Sequence, residues 1–83
     1  MDTPRLRLLT IPDCHLCDQA REVVRRVAGE AGAAWVEDDL TQVGARDPLW
    51  WEQVPVVLLD GRVISFWHVE EARLREELDR AFR

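Results

Sequence analysis

Cys14 and Cys17 are the only cysteines of this 83-residue chain, and the two residues between them let both thiols close one small redox ring or grip one metal ion. Thiolates attack disulfides and are soft ligands for zinc and iron–sulfur clusters, so chemistry is expected at Cys14-His15-Leu16-Cys17. A structural cross-link is a weak alternative, because a bridge closing so short a loop removes little chain entropy. Mononuclear zinc would need two further ligands, and His15 and His68 are the obvious candidates. His15, next to Cys14, fits poorly with both cysteines in a regular tetrahedron. Two chains sharing a zinc ion or an iron–sulfur cluster through their cysteine pairs is the remaining metal alternative.

The segments around the pair favour redox exchange. Upstream, the Arg5–Thr10 run carries leucines at both parities, which suits a strand buried on both faces. Ile11-Pro12-Asp13 breaks it. Downstream, Leu16, Ala20, Val23, Val24 and Val27 recur on one helical face, while Asp18, Arg21, Glu22, Arg25 and Arg26 take the other. Gly29 is the expected stop. The dithiol therefore lies where a strand hands over to a helix, with Cys14 at or next to the helix N-terminus, whose unpaired N–H groups stabilise negative charge. Cys17 is about one turn further in and less accessible. On this placement Cys14 attacks a disulfide and Cys17 resolves the mixed disulfide. Asp13 and Asp18 oppose a thiolate at Cys14. A protonated His15 would favour it, although the imidazole could equally face solvent.

The rest of the chain supplies a frame. A second strand is expected near Ala34–Glu37. Asp47-Pro48 reads as an N-cap followed by proline at the first helical position, opening a short helix to about Glu52. Val54–Leu59 and Arg62–Ser65 flank Asp60-Gly61, a strong hairpin signal, with Pro55 at the first residue of its strand because it cannot donate to a ladder. Ala72, Leu74, Leu78, Ala81 and Phe82 mark a terminal helix. The order is β-α-β-(α)-β-β-α. Its first crossover makes two strands parallel and its hairpin makes two antiparallel, so the fold is α/β with a mixed sheet.

Length and composition set bounds. Eighty-three residues suit one domain, spanning 1–83, with a modest core. No run approaches the roughly 18 apolar residues of a membrane span, so no membrane association is expected. Met1-Asp2-Thr3-Pro4-Arg5 has no apolar signal region, which points to the cytoplasm. The net charge of −5 sits between Glu37 and Asp60, where six acids face Arg46 alone. Such a surface repels phosphates, so nucleic acid is not an expected partner. There is no lysine to take a catalytic role. Trp35 is read as strand core. Trp50, Trp51 and Trp67 exceed what a small interior takes up, so at least one is expected partly exposed.

With these residues in place, the chain resembles the glutaredoxin branch of the thioredoxin fold, and more closely the short bacterial glutaredoxin-like proteins. The resemblance covers nearly the whole length and rests on Cys14-x-x-Cys17 opening the first helix, the Val54-Pro55 dipeptide and the Asp60-Gly61 turn. It implies a four-stranded mixed sheet with helices on both faces and a cis proline at Pro55 facing the cysteines. It also implies a thiol-disulfide oxidoreductase with Cys14 and Cys17 as catalytic residues and His15, Leu16, Val54 and Pro55 binding substrate. In that fold the residue before the proline, here Val54, offers its backbone to an extended peptide or to glutathione. The implied partners are a disulfide-containing protein or a low-molecular-weight thiol, with thioredoxin reductase or glutathione as electron source and no bound cofactor or metal. Several positions depart from the pattern. Ile11 stands where a lysine is usual, His15 and Leu16 replace a proline and a tyrosine, and Ser65-Phe66 align with paired glycines that help hold glutathione. These departures, with the acidic window, weigh against glutathione. They also keep alive a non-catalytic, redox-sensing binding module of the same fold.

Overall fold

The computed structural model describes residues 4–82; of the Met1-Asp2-Thr3-Pro4-Arg5 stretch on which the leader expectation rests, Met1, Asp2 and Thr3 lie outside them, as does Arg83. The elements are β1 (Leu6–Thr10), α1 (His15–Ala31), β2 (Trp35–Asp39), α2 (Leu40–Val43), α3 (Trp50–Gln53), β3 (Val56–Leu59), β4 (Arg62–Phe66) and α4 (Glu71–Ala81). The four strands lie in the order β2-β1-β3-β4. β1 and β2 are parallel, and β3 runs antiparallel to both β1 and β4. The expected mixed sheet is present.

Both faces of the central strands are largely buried, which explains the unbroken apolar run of β3 and the leucines at both parities in β1. Leu6 and Leu8 of β1 join Val57 and Leu59 of β3 under α1 and α4, where Ala20, Val24, Val27, Leu74 and Leu78 complete one cluster. Leu9, Val56 and Leu58 point the other way and meet Leu40 and Trp50 from α2 and α3. Period-two alternation splits each strand between two cores, and each core needs its own helical cover.

Local chemistry sets the boundaries, in places differently from expectation. α1 runs past Gly29 and stops at Gly32, whose φ of +67° is left-handed. Ala33 donates to the Ala28 carbonyl at 2.9 Å and Gly32 to Gly29 at 3.3 Å, the paired bonds of a Schellman cap. β2 begins at Trp35 and extends to Asp39, because parallel pairing with β1 continues to Thr10 opposite Asp39. Asp39 then caps α2, an element absent from the sequence expectation, its carboxylate accepting from the Thr41 amide at 2.8 Å. Asp47 does accept from the Leu49 amide, at 3.0 Å, yet Pro48-Leu49 form a turn and the helix starts at Trp50. β3 starts at Val56, leaving Pro55 before the ladder. At the hairpin, Asp60 and Gly61 have φ of +54° and +81°, the doubly left-handed backbone that an Asp-Gly type I′ turn requires. Ile64 is extruded as a bulge, and the Arg73 guanidinium donates to its carbonyl at 3.0 Å.

Trp50 is buried and Trp35 half-buried against the first cluster, whereas Trp51 and Trp67 are 44% and 56% exposed. No helix among the described residues is long and apolar enough to cross a membrane.

Candidate active site

β1 ends at Thr10, the Ile11–Asp13 loop turns the chain, and α1 starts at His15 with Cys14 as its N-cap. Asp13 makes the turn with φ of +57°, a region where aspartate is tolerated better than most side chains. Cys14 is extended, and its sulfur accepts the Cys17 amide at 3.1 Å, taking the place a serine or aspartate oxygen usually fills. Its carbonyl accepts the Asp18 amide at 3.1 Å and begins the helical ladder. The two thiols are unbridged.

The cysteines differ in setting. Cys14 is half-buried and opens onto a shallow concavity of about 230 Å³ that it lines with Asp13, His15 and Asp18. Cys17 is 1% exposed. Burial pushes the Cys17 thiol up to about 12, helped by its hydrogen bond with Cys14; the Ile11 backbone and the Arg21 charge act in the opposite direction. One sulfur is thus accessible and the other is held as a protonated thiol beneath it.

His15 and Leu16, the first two residues of α1, are exposed beside Cys14. Val54 is half-buried and Pro55 buried, and the peptide bond between them is cis. The β1–β3 register pairs Leu9 with Val56, and its continuation sets Thr10 level with Pro55 and Ile11 level with Val54. Ile11 and Val54 pack on the same cluster. The topology therefore brings the dithiol loop and the Val54-Pro55 loop to one end of the sheet.

Two features of this end escaped the sequence. The Trp67 amide donates to the carbonyls of Gln53 and Pro55, each at 3.0 Å, and its indole N–H donates to Glu52 at 2.9 Å, so one residue ties down the 52–55 segment. It does so with φ of +64°, rare for a bulky side chain. The second is a charge cluster. Arg21, assigned by periodicity to the wet face of α1, is half-buried and grips Glu37 of β2 through two bonds of 2.6 and 2.7 Å, while its third nitrogen reaches Asp18 at 2.9 Å. Thr10, 2% exposed, donates to the same Glu37 at 2.9 Å. Arg21 holds the Glu37 carboxyl below its ordinary range, so the carboxylate is charged. The only advance signal was the i, i+4 spacing of Cys17 and Arg21.

A larger concavity of about 330 Å³ lies beside β4 and includes Ser65, His68 and Arg73. The Ser65 hydroxyl donates to the His68 carbonyl at 3.3 Å rather than to its imidazole, so no serine-histidine dyad forms there. His68 is exposed in the turn before α4.

Comparison with known proteins agrees with the geometry. An uncharacterised Mycobacterium bovis protein is 31% identical over 86 residues, spanning 98% of this chain and 89% of its own. The X-ray structure of structural-genomics target XcR50 from X. campestris is 32% identical, covers 90% of this chain and 96% of its own, and superposes with a TM-score of 0.72. The crystal structure of the thioredoxin-like protein BC3987 shares the fold at 24% identity, covering 88% and 97% of the two chains with a TM-score of 0.59. The family model described as Glutaredoxin-like domain (DUF836) matches residues 5–79. The chain belongs to this glutaredoxin-like family and has the thioredoxin-like fold, with its two cysteines placed together at the head of α1.

Proposed function

We propose that the protein is a thiol-disulfide oxidoreductase that reduces or exchanges disulfides in proteins or low-molecular-weight thiols, with Cys14 as nucleophile and Cys17 as resolving cysteine. The observation that supports this most directly is the Cys14 sulfur acting as the cap of α1, 3.1 Å from the Cys17 amide. Negative charge on that sulfur is met by an N–H donor and by the helix dipole. Cys14 attacks one sulfur of the substrate disulfide and expels the other as a thiolate. Cys17, losing its proton, then attacks Cys14, expels the second substrate sulfur and leaves a Cys14–Cys17 disulfide. Two protein thiols are oxidised and one substrate disulfide is reduced.

His15 and Leu16 flank the nucleophile, and Val54 and Pro55, in the loop at the same end of the sheet, complete the substrate site, Val54 by offering its backbone to an extended substrate. Regeneration draws electrons from thioredoxin reductase or glutathione, and the cytoplasm is the working compartment. Two coupled assays test the assignment: protein-disulfide reduction driven by thioredoxin reductase, and mixed-disulfide reduction driven by glutathione. Activity in either, abolished by Cys14→Ser, supports the proposal and names the donor. Cys17→Ser should accumulate a trapped mixed disulfide. Inactivity in both assays, or full turnover by Cys14→Ser, would refute it.

A further inference from the structure

The resolving step has an electrostatic difficulty that the fold itself addresses. Cys17 must become a thiolate while it is 1% exposed. The groups that bear on its acidity are Cys14, the cap of α1, Arg21, one turn beyond Cys17 along α1, and the Ile11 backbone in the loop after β1. Arg21 is the one cation among them. A helical side chain leans toward the preceding turn, and the 2.9 Å bond from Arg21 to Asp18 shows that this guanidinium does so, returning to the turn that holds Cys17. It cannot swing away freely. Glu37 fixes it in a two-pronged pair, and Glu37 is itself fixed by Thr10.

We infer that Arg21 is the electrostatic partner of Cys17 in the resolving step, and that Glu37, reaching across from β2, is the positioning residue that orients Arg21 and partly neutralises it. This rests on the exchange reaction proposed above. The arrangement sets the resolving rate by a balance: Arg21 favours the Cys17 thiolate, and Glu37 and Asp18 restrain that effect. It also reassigns a role. The family resemblance looks for a cation in the loop before the first cysteine, where this chain has Ile11; here the cation stands inside the helix, one turn after the second cysteine.

The two residues should therefore act with opposite sign. A step of one unit in the thiol's acidity changes the thiolate fraction tenfold, and the compensating loss of nucleophilicity leaves about a threefold change in rate near neutral pH. The test uses the reduced full chain and dithiodipyridine, a neutral chromogenic disulfide, in stopped flow from pH 6 to pH 9. Attack by Cys14 releases the first thiopyridone, and attack by Cys17 on the Cys14 mixed disulfide releases the second. Arg21→Gln is expected to slow the second phase, by no more than about threefold because Arg21 is the weakest of the influences on Cys17, and to displace its pH profile upward. Glu37→Gln, which keeps an acceptor for Arg21 and Thr10, should speed it, within the same roughly threefold bound, and displace the profile downward. Arg21→Lys, which retains the charge, should stay close to the parent. Second phases that move in the same direction, or not at all, overturn the assignment and leave exchange intact. An absent first phase overturns the exchange reaction and this inference with it.

Discussion

Cys17 should make the folded chain lose stability in alkali. An exposed thiol ionises near 9.0, and burial followed by the Cys14 hydrogen bond pushes Cys17 up to about 12 in the folded protein. Above pH 9 the unfolded chain loses a proton that the folded chain keeps, so stability falls as pH rises through the window from 9 to 12. The slope approaches that of one full proton per molecule, so stability at pH 10 should lie on the order of 1 kcal/mol below that at pH 8. Few other groups obscure this. The chain has no lysine and no tyrosine, whose side chains would otherwise titrate in that range. Urea denaturation at half-unit pH steps should compare Cys14→Ser with Cys14→Ser/Cys17→Ala. Removing Cys14 weakens the push on Cys17, but burial, the largest cause, remains. The alanine also leaves a cavity whose cost does not vary with pH, so the difference between the two profiles isolates the Cys17 proton. A single-to-double difference that stays constant from pH 8 to pH 10 within about 0.3 kcal/mol would refute the reasoning.

Other perturbations should separate backbone, core and redox contributions. Gly29 lies inside α1 with open space around its Cα, so Gly29→Ala should stabilise by about 0.5–1 kcal/mol. Gly32 has equal space but a left-handed φ of +67°, so Gly32→Ala should destabilise by about 1–2 kcal/mol, and urea midpoints moving in the same direction would contradict the Schellman assignment. Leu8→Ala, at a fully buried position beneath α1 and α4, should cost about 2–5 kcal/mol in the same assay. For the redox couple, a Cys14–Cys17 potential near about −270 mV by equilibrium exchange would indicate a thioredoxin-like donor, and one near about −200 mV a glutaredoxin-like or exchange role.

The frame was legible because each element announces itself locally. Leucines at both parities mark β1 as buried on two faces, a 3.6-residue period marks α1, and Asp60-Gly61 marks the hairpin. The dithiol and its capping position follow from the same local logic. What escaped depends on tertiary contact. α2 has four residues, too few for a period, and exists because β2 delivers Asp39 to cap it. Gly29 and Gly32 are both plausible stops, and the choice falls on the one that lets Ala33 fold back under the sheet's cover. Arg21 sits where periodicity places a solvated charge, and only the pairing of β1 with β2 brings Glu37 within its reach. Trp67 looks like surplus aromatic surface until its backbone is seen holding the loop that ends at Pro55.

β3 has a consequence beyond the folded state. Its four residues, Val56-Val57-Leu58-Leu59, are all buried, two on each side of the sheet, and they pair with strands on both edges. Before those partners arrive, the same segment is an uncharged, strongly β-forming stretch with every side chain available to another molecule. β4 follows after a two-residue turn and can cover one edge early, whereas β1 must return from about fifty positions upstream. During that interval Pro55 interrupts the ladder at one end of the stretch and Asp60 places a charge at the other, the arrangement by which sequences guard an unavoidable apolar strand against self-association. Pro55 and Asp60 thus act as gatekeepers of the nascent chain as well as neighbours of the site and the turn.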